Sequence, residues 1–170
     1  MRELRERLQQ EVDDWSKLNF PALLQKFVLR VADCEGDTSV RPESGEPKMC
    51  FQNAARLTTY KSRRYEYVEG YILIEGIPLL IHHGWCYDKI KKLIVDPTLP
   101  DDERKTLYLG KRFSAEEYLS HVDKWGYWCL FDAVGINTGL IQSLAPDLLD
   151  GVRYQSDRRP RVINLESNHE

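Results

Sequence analysis

The chain has 170 residues, enough for one domain with a sizeable core. Its composition, 42% hydrophobic and 30% charged, is that of a soluble globular protein. A net charge of −3 and a pI near 5.9 supply no strong field for nucleic acid or an anionic membrane, so neither is expected as a partner.

No apolar run reaches the roughly 18 residues needed to span a bilayer, and the N-terminus lacks a signal-peptide apolar region. A cytoplasmic location is expected. The four cysteines, Cys34, Cys50, Cys86 and Cys129, form no C-x-x-C pair and are expected as thiols.

Leu4, Leu8, Val12 and Trp15 recur at three- and four-residue steps, which predicts an amphipathic helix over 2–17. Packing on the protein's own core is its first expected use, and homo-oligomerisation through the same face the second. Asn19 and Pro21 read as an N-cap and a first-turn proline, opening a second helix that runs to about Cys34. Residues 35–47 are rich in Gly, Pro and Ser and predict a loop.

"MCFQNAARLTTY" (49–60) predicts a helix, and "RYEYVEGYILIEG" (64–76), dense in Tyr, Val and Ile, a strand. Within it Gly70 marks a bulge or a close approach. A turn at 76–78 leads to strands over 79–87 and about 91–96, then a loop at 96–105 and a fourth strand at 106–113. "SAEEYLSHVDKW" (114–125) opens with the Ser114–Glu117 pattern of a capping box. Residues 127–136 read as a further strand, and 138–149 as a short helix broken at Pro146. From Gly151 the chain is polar, and a partly mobile tail is expected over 151–170. Its basic run, "SDRRPRV" (156–162), reads as solvated.

This order argues for an α+β fold with an antiparallel sheet. One domain is expected over 1–150, with N-terminal helices at 1–34 added to a core at 48–136.

The polar break "DKIK" (88–91) makes residues 79–96 a hairpin. With those four residues as its loop, Tyr87 sits opposite Lys92, Trp85 opposite Ile94 and His83 opposite Val95 or Asp96 depending on register, the strict count giving Asp96. Opposed residues on one face have Cβ atoms about 4.5–5.5 Å apart, within reach of an imidazole–carboxylate bond. Side chains alternate, so His83, Trp85 and Tyr87 share the face of Asp96, while His82, Gly84 and Cys86 share the other. A one-residue slip would give His82 the partner's role. The equal alternative is that Asp96 serves only as the start of the Asp96–Pro97 turn. The same alternation argues against a metal site of His82, His83 and Cys86, and no second ligand pair has zinc-like spacing. No nucleotide fingerprint is present, and neither metal nor cofactor is expected.

Cys50 opens its helix, where the dipole and free amides favour thiolate, the nucleophilic form. Cys86 and Cys129 lie in apolar runs and Cys34 at a helix end, so these three read as buried and inert. A thiol nucleophile needs a base, and the base an orienting acceptor. Cys50, His83 and Asp96 offer these roles in order.

"CFQNAARL", "YVEGYIL", "HHGW" and "VDPTL" together resemble the transglutaminase-like branch of papain-like thiol enzymes. The resemblance covers about 48–99. It implies a Cys-bearing helix packed on an antiparallel sheet, with Cys50 as nucleophile, His83 as base and Asp96 as orienter. It favours His83 over His82 because His83 precedes Gly84-Trp85. The pattern departs at Gly84, where Ala is usual, at Lys48-Met49, and in lacking an upstream oxyanion Gln, with Ser44 in that region. Asn53 and Gln52 are weaker candidates for substrate or oxyanion contact, and Trp85 for a cleft wall.

The expected activity is thiol-dependent hydrolysis or acyl transfer on an amide, ester or thioester, with a peptide, protein or small acyl compound as substrate. The alternative is a catalytically inactive member of the same fold, binding a protein or ligand through a face that includes Tyr65, Tyr67 and Tyr71.

Overall fold

A computed structural model describes residues 2–14, 20–37, 39–41, 45–100, 104–126, 128–131 and 136–149. Trp15, Asn19 and the 151–170 tail lie outside the described residues.

Two helices, α1 (Arg2–Asp14) and α2 (Phe20–Val31), precede two short strands, β1 (Cys34–Gly36) and β2 (Ser39–Val40). Helix α3 (Cys50–Tyr60) leads into β3 (Tyr65–Ile74), β4 (Leu80–Asp88), β5 (Leu93–Val95) and β6 (Thr106–Phe113). Helices α4 (Ala115–Trp125) and α5 (Ile136–Leu144) follow, then a 3-10 turn, Pro146–Leu149. The fold is α+β. Among the described residues its sheet has six strands in the order β1-β6-β3-β4-β5-β2, antiparallel except for the parallel pair β5–β2. No described helix is long and apolar enough to cross a membrane.

The apolar stripe of α1 is buried at Leu4, Leu8 and Val12, and the helix packs on the protein's own core. Alternation along β3 divides the interior in two. Tyr65, Tyr67 and Tyr71 join Ala54 and Ala55 of α3 on one face, while Val68, Ile72 and Ile74 join Trp85 and Tyr108 on the other. All three tyrosines are buried and cannot form a recognition face.

Three expectations need correction. Helix α2 stops at Val31, and Cys34 begins an edge strand: the Asp33 amide already bonds the Gly110 carbonyl, handing the chain to β6. The expected loop at 35–47 thus contributes to both edges of the sheet. Residues 128–131 are not a strand. The amides of Leu130 and Phe131 each donate to the Glu69 carboxylate at 2.7 Å, so a side chain takes the place of a ladder partner.

The hairpin register is the third. Asp88 pairs with Leu93, Tyr87 with Ile94 and Cys86 with Val95. The turn is therefore Lys89–Lys92, one residue later at each end than expected. Asp88 stays in the strand because Arg64 holds its carboxylate at 2.8 Å and its Oδ1 accepts the amides of Ile90 and Lys91. Lys92 takes a left-handed φ of 54° and closes the turn. Pairing has moved by two residues, so every side chain keeps its face.

Gly70 and Gly110 oppose each other across β3 and β6. A Cβ on Gly110 would lie 2.6 Å from the Trp85 ring, and one on Gly70 would lie 2.1 Å from the Leu109 carbonyl oxygen. Close packing, not a bulge, explains Gly70. Because the obstacle there is backbone, Gly70→Ala is expected to lower stability by about 3 kcal/mol, the upper end for overpacking. Denaturant unfolding measures this, and an unchanged midpoint would show that the strands part easily.

Candidate functional site

The site begins with the approach of α3 to β4. Thr58 Oγ1 lies 3.5 Å from Cys86 Sγ, and the Cys86 thiol donates to the Ala54 carbonyl at 3.4 Å. This lays the helix along the Cys86 face of β4. Its first turn reaches Gly84, where a Cβ would sit 2.8 Å from Phe51 Cδ1 and 3.2 Å from Phe51 Cα. Glycine at 84 is thus what lets the helix start come so close, and alanine would push it away.

Met49 stands at the N-cap of α3 and supplies no side-chain hydrogen bond. The first-turn amides of a helix need acceptors. At this helix start the Phe51 amide and, from the strand, the Gly84 amide favour a negative charge on the Cys50 sulfur. The His83 imidazole is the strongest of the neighbours that favour its ionised form.

His83 is buried on the opposite face of β4, its ring roughly parallel to that of Trp85 with centroids 6.2 Å apart. Its Nε2 lies 2.8 Å from Asp96 Oδ2, which leaves Nδ1 for the thiol. In the observed register Asp96 is diagonal to His83, not directly opposite, and the reach is made by side chains.

Asp96 follows the last residue of β5, and its carboxylate is fully engaged. Oδ2 also accepts from the Tyr108 hydroxyl at 3.1 Å, and Oδ1 accepts the amides of Thr98 and Leu99 at 2.8 and 3.1 Å. Ser39 Oγ lies 3.1 Å from the Tyr108 oxygen. The Asx turn expected of Asp96 and its contact with His83 coexist, one on each oxygen.

Electrostatics follow from this wiring. Burial opposes ionisation of Cys50, but His83 and the amides of Gly84 and Phe51 outweigh it and bring the thiol below its ordinary pKa. Burial likewise disfavours imidazolium at His83, yet the bonds to Asp96 and Cys50 raise its pKa to about 9. Burial pushes Asp96 upward, and His83 with the Thr98 and Leu99 amides pulls it below the usual carboxylate range. All three shifts favour a thiolate–imidazolium pair backed by a carboxylate. The other thiols behave differently: burial pushes Cys34 up to about 11 and Cys86 up to about 12.

Asn53 serves elsewhere. Its Nδ2 donates to the Glu46 carbonyl at 2.8 Å and Thr98 Oγ1 at 3.0 Å, and its Oδ1 accepts the Glu46 amide at 3.2 Å. With both amide protons held, it does not offer an oxyanion donor. Instead it ties the segment before Cys50 to the segment after Asp96, beside the bond from the Gly45 amide to the Pro97 carbonyl at 2.7 Å. Trp85 is wholly buried, so it packs against His83 and does not wall a cleft. Gln52 is half-buried in the first turn of α3.

Sequence reasoning missed Tyr108, which reaches Asp96 from a distant strand, and Ser39, which bonds Tyr108; only the face parity of β6 hinted at the tyrosine. It also missed a second polar cluster. Glu69, His82 and Cys129 bring their ligand-type atoms within 4.8 Å of one another. Glu69 Oε1 faces His82 Nε2 at 2.9 Å, Cys129 Sγ at 3.0 Å and the Phe131 amide, while Oε2 accepts from the Tyr67 hydroxyl and the Leu130 amide. The chain's own hydrogens saturate this carboxylate, and the cluster joins β3 and β4 to residues 128–131. A surface cavity of about 580 Å³ lies beside the β3–β4 turn, lined in part by Glu3, Arg7, Gly76 and Lys105, and contains none of the Cys50 trio.

No family model, curated protein or solved structure matches the chain.

The raised His83 pKa has a signed consequence. Its contribution to stability is full below about pH 6.5, the ordinary value, and is lost as pH rises through about 9. In Asp96→Asn the His83 titration followed by NMR is expected to move to lower pH, because the pairing charge is gone. An unmoved titration would mean that Asp96 does not set it. Asn53→Ala is expected to cost about 1–3 kcal/mol, since it leaves buried polar partners unsatisfied; thermal unfolding would register the loss.

Proposed function

We propose that this protein is a thiol-dependent hydrolase or acyltransferase in which Cys50 attacks the carbonyl of an amide, ester or thioester. The papain-like, transglutaminase-like resemblance of residues 48–99 points the same way. The observation that carries the reading is a half-buried thiol at an uncapped helix start, its ionised form favoured by an imidazole whose Nε2 lies 2.8 Å from a buried carboxylate.

His83 takes the Cys50 proton on Nδ1 and holds it as imidazolium, with Asp96 fixing the ring and balancing its charge. The thiolate adds to the acyl carbon, and the carbonyl electrons move to oxygen. The Cys50 backbone amide is the proposed oxyanion donor; one such donor is worth about 2.7–4 kcal/mol in other enzymes. Collapse of the adduct breaks the bond to the leaving group, which receives the His83 proton. A water or amine then gives its proton to His83, attacks the thioester and frees Cys50. Water yields hydrolysis, and an amine yields acyl transfer.

Burial of Tyr65, Tyr67 and Tyr71 removes the surface on which the non-catalytic alternative was based.

Alkylation with iodoacetamide across pH, mapped by mass spectrometry, tests the reading. Cys50 is expected to react at a lower pH than an ordinary thiol, and His83→Ala to move the profile upward while slowing reaction at neutral pH. If Cys50 reacts no faster than a free thiol, or is indifferent to His83, the proposal fails. An acyl-electrophile probe should label wild type and not Cys50→Ala.

A further inference from the structure

The end of the sheet away from the Cys50 helix start carries a concentrated positive charge. Two turns meet there. One follows α3 at 61–64, and the other is the β4–β5 turn at 89–92. They are stitched together by the Lys89 amide on the Arg64 carbonyl at 2.9 Å and by Lys89 Nζ on the Ser62 carbonyl at 3.1 Å. Lys61, Arg63, Lys89, Lys91 and Lys92 are all exposed on these turns. The nearby carboxylates of Asp88 and Glu66 are engaged by Arg64 and Arg112.

Such a patch is unexpected in a chain of net charge −3. Like charges held on two adjoining turns repel one another, and that cost is offset when an anionic surface is present. The patch also exposes two large apolar side chains. Ile90, at the turn between Lys89 and Lys91, is 73% exposed, and Tyr60, preceding Lys61, is 85% exposed. An aliphatic side chain neither stacks on a base nor pairs with a phosphate, and it gains only from leaving water. A lipid interface rewards the combination, taking the lysines among its headgroups and the apolar tips at the acyl boundary.

We propose that the turns at 61–64 and 89–92 form a docking surface for anionic lipid headgroups, with Ile90 and Tyr60 entering the interface. The surface is separate from the candidate thiol site. Helix α3 has 11 residues between Cys50 and Tyr60 and separates the two by about 15 Å at 1.5 Å per residue. Docking would hold the thiol clear of the membrane plane. The expectation from net charge is revised here only for a peripheral surface contact.

Co-sedimentation of the full chain with phosphatidylcholine vesicles, with and without phosphatidylserine, tests this. Binding is expected only with phosphatidylserine and should weaken as salt is raised. The triple variant Arg63→Gln, Lys91→Gln, Lys92→Gln should bind roughly 100-fold more weakly, about fivefold per charge. Ile90→Ser keeps every charge and should weaken vesicle binding about 10-fold. Circular dichroism verifies that each variant is folded, and iodoacetamide labelling of Cys50 should be unchanged in all of them. Absence of phosphatidylserine-dependent binding overturns the proposal. So does an Ile90→Ser variant that binds vesicles as tightly as wild type, or retention on single-stranded RNA tighter than on the vesicles, because either outcome marks a plain polyanion site.

Discussion

The candidate site depends on a strand edge left open. Helix α3 lies on one face of β4, and the His83 ring lies on the other. Groups on opposite faces of a sheet can meet only around an edge. Strand β5 pairs with β4 only at residues 86–88, so Gly84 has no β5 partner. Its amide is available to the Cys50 sulfur instead of a neighbouring carbonyl. A longer β5 would use that amide in a ladder and bar the thiol from the imidazole. Glycine at 84 completes the arrangement, because any Cβ would hold Phe51 off the strand.

Ending β5 early requires something to fix the chain just beyond it, and Asp96 does so. Its amide donates to the Val40 carbonyl at 3.1 Å, one oxygen binds the turn that follows, and the other holds His83 and Tyr108. A buried carboxylate would otherwise be costly. Here four hydrogen bonds compensate it and keep it ionised, so the negative charge needed behind the imidazole is available without solvent. Asn53 then ties Thr98, two residues on, to the loop before Cys50. Cys50, His83 and Asp96 are therefore positioned together, although they come from a helix start, a strand and a turn.

Much of this was legible in local pattern. Helix α3, the four core strands and the capping box at Ser114 follow from periodicity and end chemistry, which depend on neighbours in sequence. The hairpin turn was placed one residue early because Asp88 is a common turn residue, and its pairing with Arg64 is a tertiary contact that sequence spacing does not reveal. The error moved the pairing by two, and face parity survived, so His83 and Asp96 were still brought to the same side. Within the apolar run at 127–136, the described residues 128–131 misled for a related reason. Its hydrophobic pattern fits a strand, but the hydrogen bonds of Leu130 and Phe131 go to a carboxylate about 60 residues away. Tyr108 and Ser39 were illegible on the same ground, since only the assembled sheet puts them beside Asp96.

The two adjacent histidines show how environment, not residue type, separates a structural pair from a candidate catalytic one. Each Nε2 lies within 2.9 Å of a buried carboxylate, so pairing alone cannot distinguish them. The difference is at the other partners. Glu69 draws a tyrosine hydroxyl, a thiol and two amides onto itself, and His82 is packed among Phe51, Tyr71 and Phe131. That thiol, Cys129, donates to the Glu69 carboxylate at 3.0 Å. Cys50 instead meets an imidazole and two amides, all of which favour thiolate. Strand alternation sends neighbouring histidines to opposite faces, and only the face of His83 meets a sulfur surrounded by donors. The chemistry proposed for Cys50 therefore rests on what surrounds the sulfur as much as on the histidine beside it.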